Sequence, residues 1–222
     1  MIIAPGARVG RRARGSPEEG GTVTGIPCEV VTWGRFYGLC RQLAGKVRAS
    51  GFRPEVIVAI GRGGWMPGRV LSDLLGLMDL TEFKVEHYRG AQREREARVR
   101  YPLAADLRGR RVLLVDDVSD TGDTYRVALE HLNAVSPPGE VRTAALHHKV
   151  VSTYEPDLYA RRVVRWRWII YPWAVVEDVA GLLSAMTPRP TTPEAMAERL
   201  LAEHGLRVSP ATLTDVLALL DG

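Results

Sequence analysis

Two adjacent carboxylates, Asp116 and Asp117, follow the apolar run Val112-Leu113-Leu114-Val115. Such a run reads as a buried parallel strand. The acids then stand at its carboxyl end, where open α/β sheets place their ligands. Ser119-Asp120-Thr121-Gly122-Asp123-Thr124 comes next, and a helical pattern begins at Tyr125. Ser119, Thr121 and Thr124 offer hydroxyls, and Gly122 allows the backbone to curl so that N–H groups converge. The helix start adds a positive dipole end, so the loop suits a phosphate. Asp116 and Asp117 would repel a bare phosphate. A ligand with hydroxyls or a metal at one end and phosphate at the other removes the conflict. A ribose 5-phosphate has both. The chain contains no G-x-x-x-x-G-K-[ST], so this is not a Walker A loop.

Other elements must bring partners to this loop. Residues 56–60, Val-Ile-Val-Ala-Ile, form a second core strand, followed by Gly61-Arg62-Gly63-Gly64 and a helix opened by Pro67 and running to about residue 75. Glycines let N–H groups approach an anion closely, and Arg62 adds a fixed positive fork. Residues 83–88 alternate like a strand. Residues 89–100 carry five arginines and two glutamates and read as a solvated hairpin arm. Residues 141–147 form another strand, with His147, His148 and Lys149 at its end. Neighbouring histidines on a strand point to opposite faces, so they make poor joint metal ligands. Residues 163–173 are rich in tryptophan, and Trp166 and Trp168 could cover a core.

The run from Val112 to Thr124 resembles the signature of the type I phosphoribosyltransferases. Arg62-Gly63-Gly64-Trp65-Met66-Pro67-Gly68 resembles the pyrophosphate loop of their 6-oxopurine branch, where the peptide at this loop can be cis. Trp168-Ile169-Ile170-Tyr171-Pro172-Trp173 resembles the hood segment of xanthine–guanine and hypoxanthine phosphoribosyltransferase-like enzymes. The resemblance implies an α/β fold with a central, mainly parallel sheet flanked by helices and a small hood. It implies transfer of 5-phosphoribosyl from 5-phosphoribosyl 1-pyrophosphate (PRPP) to guanine, xanthine or hypoxanthine, with Mg²⁺. Arg62, Gly63, Asp116, Asp117, Ser119, Thr121, Gly122, Asp123 and Thr124 would bind PRPP, with Asp117 also on the metal. Asp120 would be the general base, and Lys149, Trp168 and Ile169 would bind the purine. The arm at residues 89–100 takes the place of a mobile lid that excludes water. The pattern departs at Ala174, where bacterial members often carry an acid, leaving Glu177 or Asp178 as substitutes. Two rivals share the resemblance: a PRPP-binding transcriptional regulator of the same fold, or an enzyme for another base. A regulator needs no base, and Asp120 is present.

The 222 residues allow one full-sized domain with a small appendage, and a net charge of +4 does not by itself imply nucleic acid. Cys28 and Cys40 form neither a disulfide framework nor a metal cluster, so a cytoplasmic setting is expected. Arg11-Arg12 is followed by no apolar segment, which argues against twin-arginine export. No apolar run reaches the length of a membrane span. Residues 1–25 read as a disordered leader, 26–186 as the domain with its hood, and 187–222 as a helical hairpin. In that hairpin Thr192 caps one helix with Pro193 at its first position, and Ser209-Pro210 starts the next. Leu213, Val216, Leu217 and Leu220 form an apolar face for packing on the host domain. The family's usual state implies a homodimer or homotetramer.

Overall fold

The computed structural model describes residues 25–89 and 95–221. In chain order the elements are β1 (Cys28–Val30), α1 (Trp33–Ala49), β2 (Val56–Gly61), α2 (Trp65–Leu75), β3 (Leu80–Arg89), β4 (Arg95–Tyr101) and β5 (Arg111–Ser119). Then follow α3 (Asp123–Val135), β6 (Glu140–Lys149), β7 (Leu158–Val163), β8 (Trp168–Ile170), α4 (Val175–Ser184), α5 (Pro193–His204) and α6 (Pro210–Asp221). This is the expected α/β architecture. The leader reading at residues 1–24 and the tip of the arm at 90–94 lie outside the described residues. The helix expected from Pro67 begins at Trp65, which puts proline in the first turn, where its missing N–H removes no intrahelical bond.

Six strands run in the order β4-β3-β2-β5-β6-β7, parallel except for the β3–β4 hairpin. From β2 the chain leaves towards β3, and from β5 it leaves the opposite way, towards β6. The gap between the carboxyl ends of β2 and β5 is therefore a topological switch point, where neighbouring loops diverge and leave a crevice. Residues 61–64 and 119–124 both open into it.

Strand alternation sorts the core into two layers. Val112 and Leu114 face α3, against Tyr125 and Leu132, while Leu113 and Val115 face α1 and α2, against Leu43 and Leu71. All four β5 residues are fully buried. Each contributes about 1.5–3 kcal/mol relative to exposure, a sum on the scale of a whole domain's net stability. That anchorage holds the strand's polar end in place.

The hood is a separate parallel pair, β1 with β8, in which Glu29 stands opposite Ile169. Glu29 ties it to the body through Arg35 of α1 and Arg161 of β7, the latter at 3.2 Å, and meets Arg167, just before β8, at 3.4 Å.

The C-terminal hairpin forms where its caps say it should. Thr192 Oγ1 accepts from Ala195 N, and Gly205 closes α5 at φ 65°. Met196, Leu200, Leu213 and Val216 pack with Ile170, Val179 and Leu183, one cluster shared with the hood and α4. The appendage is thus built onto the hood, and Leu200 sits fully buried in the shared layer. Leu200→Ala should cost about 2–5 kcal/mol, read as a lowered urea midpoint of a single transition. A loss below about 0.5 kcal/mol, or a separate early transition, would show a hairpin that does not share the domain's core.

Candidate functional site

At the end of β5 the chain holds two like charges close together. Asp116 is 7% exposed, and its Oδ1 accepts from the Asp117 backbone N at 2.9 Å. Burial pushes both carboxyls up: Asp116 well above the ordinary range, with repulsion from Asp117 adding, and Asp117 to about 7, with the Asp178 charge adding. Adjacent strand positions send the two side chains to opposite faces. Both line a chamber of about 320 Å³, and Asp117 also lines a second of about 580 Å³ beside it. Arg62, Gly63, Asp120 and Trp168 border both. Gly63 is demanded by this crowding, since a Cβ there would stand 2.6 Å from an Asp117 carboxylate oxygen. The Gly61–Arg62 peptide is cis.

The loop after β5 lines the smaller chamber and ends at the start of α3. Gly122 adopts φ 98° and lies so close to Tyr154 that a Cβ would meet its backbone N at 2.6 Å. Thr153 clamps the turn from outside, its N and Oγ1 both donating to Thr121 O, at 2.9 and 2.7 Å. Thr121 Oγ1 donates to Asp123 Oδ2 at 2.9 Å, and Thr124 Oγ1 lies 3.1 Å from His87 Nε2. Ser119 departs from the expectation. It is the last residue of β5, and strand geometry turns its hydroxyl inward to donate to Tyr154 O at 2.8 Å, beside Ser152 Oγ. Here the hydroxyl braces the loop, while the residue itself lines the smaller chamber.

Across the shared wall stands an ion pair that spacing alone did not reveal. Lys149 Nζ lies 2.9 Å from Asp120 Oδ2, and Lys149 is 2% exposed. Its ammonium sits between two indoles, 4.6 Å from the Trp166 ring centre and 5.8 Å from that of Trp168, a favourable setting for a cation leaving water. Trp166 Nε1 donates to Asp120 Oδ1 at 3.3 Å. Both carboxylate oxygens are therefore engaged, while Asp120 keeps about a third of its side chain exposed to the crevice. Ile169 follows on β8 and borders the larger chamber. Sequence reading had treated Trp166 as possible core cover; its two-residue spacing from Trp168 was the available signal.

At the mouth, Arg62 Nη2 donates to both Glu177 oxygens at 2.7 Å. Both side chains are more than half exposed, so this pair adds little stability and can exchange partners. Ala174 caps α4, and Asp178 lies one turn on along the same wall. Burial pushes the Asp178 carboxyl up to about 6, with hydrogen bonding from the Trp168 side chain working against it. Sequence reading missed His87, which lines both chambers, and Tyr171, whose hydroxyl reaches the Asp117 carbonyl.

The family model for the phosphoribosyl transferase domain matches residues 29–178, from the hood's first strand to the first turn of α4. The chain is 31% identical over 144 residues to the xanthine-guanine phosphoribosyltransferase of Gluconobacter oxydans, covering 64% of this chain and 82% of that one. It is 27% identical over 175 residues to the hypoxanthine-guanine phosphoribosyltransferase of Schizosaccharomyces pombe, covering 62% and 84%. The crystal structure of a purine phosphoribosyltransferase from Pyrococcus horikoshii superposes with a TM-score of 0.59 at 34% identity, covering 66% of this chain and 93% of that one. The C-terminal hairpin lies beyond the matched span.

The acid pair makes the protein's stability depend on pH. A folded carboxyl at about 7 keeps a proton that the unfolded chain releases near its ordinary value of about 4. Its contribution is full below that value and is lost as pH rises through about 7. Asp117→Asn stays neutral throughout. Its melting temperature should exceed that of the parent by a margin that widens from about pH 5 to about pH 8; a constant margin would contradict the raised carboxyl.

Proposed function

Because the chain belongs to the phosphoribosyl transferase domain family, we propose that it transfers the 5-phosphoribosyl group of PRPP to a 6-oxopurine, releasing pyrophosphate. The observation that carries this reading is the Lys149–Asp120 pair standing beside Trp168 on the wall between the two chambers. A purine stacked on Trp168 would offer its exocyclic oxygen to Lys149 and its N7 proton to Asp120. Stacking suits this role because a flat ring gives contact area without demanding a fixed polar pattern.

The smaller chamber would take the sugar phosphate. Its 5-phosphate would meet the N–H groups of the loop at 120–124 and the first turn of α3, with Thr121 and Thr124 released from Asp123 and His87 to donate to it. Asp116 and Asp117 would accept from the ribose hydroxyls. As the bond from C1 to the pyrophosphate oxygen breaks, positive character builds on the ribose, and the two carboxylates favour it electrostatically. The purine N9 lone pair forms the new bond to C1, and the N7 proton passes to Asp120. Fixing both partners in adjoining chambers removes the entropy of bringing them together.

Mg²⁺ fits the donor set. Asp116 and Asp117 are oxygen ligands whose burial is relieved by a cation, and among the described residues no group of three or more acidic, histidine or cysteine side chains forms a complete cage. Donor oxygens would therefore complete the shell, as this ion prefers. When bound, it supplies charge neutralisation for the leaving pyrophosphate. Asp117 would hold it, with Asp178 taking the place of the acid absent at Ala174. Arg62 would exchange Glu177 for the pyrophosphate. Formation of nucleoside monophosphate in this way is a purine-salvage step suited to a cytoplasmic enzyme, and we assign a homodimer or homotetramer by the family's habit. No described helix is long and apolar enough to cross a membrane.

Incubation with PRPP, Mg²⁺ and guanine, xanthine or hypoxanthine should form the monophosphate, and removal of Mg²⁺ by a chelator should stop it. Absence of product with all three bases would overturn the reading. Asp120→Asn should lower kcat about 10²- to 10⁴-fold with PRPP affinity nearly unchanged; normal turnover would remove Asp120 as the base. Trp168→Ala should raise KM for the purine well before that for PRPP, and the reverse order would displace it from the purine wall.

A further inference from the structure

Behind the acid pair lies a buried polar chain that the proposed chemistry does not use. His147 of β6 is fully buried, with Nδ1 2.8 Å from Tyr171 Oη, and Tyr171 Oη is 2.8 Å from the Asp117 carbonyl oxygen. The proton positions follow from the partners. A carbonyl only accepts, so the phenol gives it its single hydrogen. His147 must then donate from Nδ1 to Tyr171 Oη, which leaves the lone pair on Nε2. Among the described residues no group meets that atom, and the polar contact the ring makes is the one to Tyr171. Burial pushes the imidazole down to about 4, which keeps it neutral at ordinary pH, and the bond to Tyr171 sets its tautomer.

The position of Tyr171 gives the chain its consequence. It directly follows β8, two residues after Ile169 and three after Trp168. Its ring stacks on Trp173 at 4.8 Å between centres, with planes 9° apart, and Trp173 packs in turn on Phe36 of α1, so the phenol is held between the chain leaving β8 and the body of the domain. At its other end it holds the main chain of the residue proposed to hold the ribose. One group therefore spans from the end of β8 to the main chain that carries the Asp117 carboxylate.

We infer that Tyr171, oriented by His147, is a positioning residue that couples the two half-sites, so that sugar phosphate and purine bind cooperatively. This rests on the purine reading above. Seating a purine on Trp168 fixes the hood, the hood fixes Tyr171, and Tyr171 fixes the peptide that aims Asp117. By linkage the effect runs equally in reverse.

The test uses two halves that cannot react. Ribose 5-phosphate lacks the leaving group, and the purine is whichever base turns over fastest with PRPP. Calorimetry with Mg²⁺ present gives the purine Kd alone and with saturating ribose 5-phosphate, and the ratio is the coupling factor. A ratio cancels any loss of affinity common to both measurements. The unaltered protein should show a factor of about 5 or more. Tyr171→Phe, which keeps the ring and loses the hydroxyl, should bring it near 1. His147→Asn, whose amide N–H can stand in for Nδ1–H, should retain coupling, and His147→Leu should lose it; this pair decides the matter if the tyrosine variant does not fold. Wild-type protein that makes nucleotide but shows no coupling, or Tyr171→Phe with the wild-type factor, overturns the inference alone. Wild-type protein that makes no nucleotide and binds neither half overturns the purine reading and this inference with it.

Discussion

Two carboxylates side by side at the end of a buried strand set the terms for what surrounds them. Asp116 and Asp117 are both pushed towards their protonated forms by burial and by neighbouring charge. Such a pair is unfavourable unless a cation or hydrogen-bond donors arrive to relieve it. The neighbourhood is built to that end. Residue 63 lacks a side chain because Asp117 occupies its space, the Tyr171 hydroxyl fixes the Asp117 carbonyl, and the apolar half of β5 anchors the strand against two core layers. The topology leaves the crevice open at this point, between strands whose loops diverge.

Features written in local order were legible in the sequence. The apolar run of β5, the glycine-rich turn after β2, the Thr192 cap and the Gly205 stop each depend on residues within a few positions of one another, and β2 and α5 formed within about two residues of their expected bounds, while β5 runs four residues past its apolar run, to Ser119. The resemblance of residues 112–124 and 168–173 to a family placed the hood and the loop in one site before any coordinates.

Features that depend on distant residues were not legible. The Lys149–Asp120 pair joins the ends of two neighbouring strands, since β5 and β6 run parallel and place Ser119 opposite His148. Arg62 meets Glu177 from the far side of the chain, and Tyr171 meets His147 from just beyond the hood strand β8. Ser119 shows a subtler limit. Its hydroxyl was assigned to the ligand by residue type, yet being the last strand residue turned it inward. Residue type states what a side chain can do; a distant loop, through Ser152 and Tyr154, decided what this one bonds to.

The hood and the C-terminal hairpin share one apolar cluster, running from Ile170 through Leu183 to Leu200 and Val216. The hood is also fastened to the body by two arginines on Glu29, Arg35 of α1 and Arg161 of β7. The wall that carries Trp168 is thus held from both sides, which gives the hairpin a structural purpose beyond the span matched by the family.

The most direct measurement is a crystal structure of the protein soaked with PRPP and Mg²⁺. The 5-phosphate should lie in the turn at 120–124, with the ribose hydroxyls or the metal against Asp116 and Asp117 and the pyrophosphate towards Arg62. Donor density anywhere else, or carboxylates turned away from a bound sugar, would contradict the assignment of the acid pair.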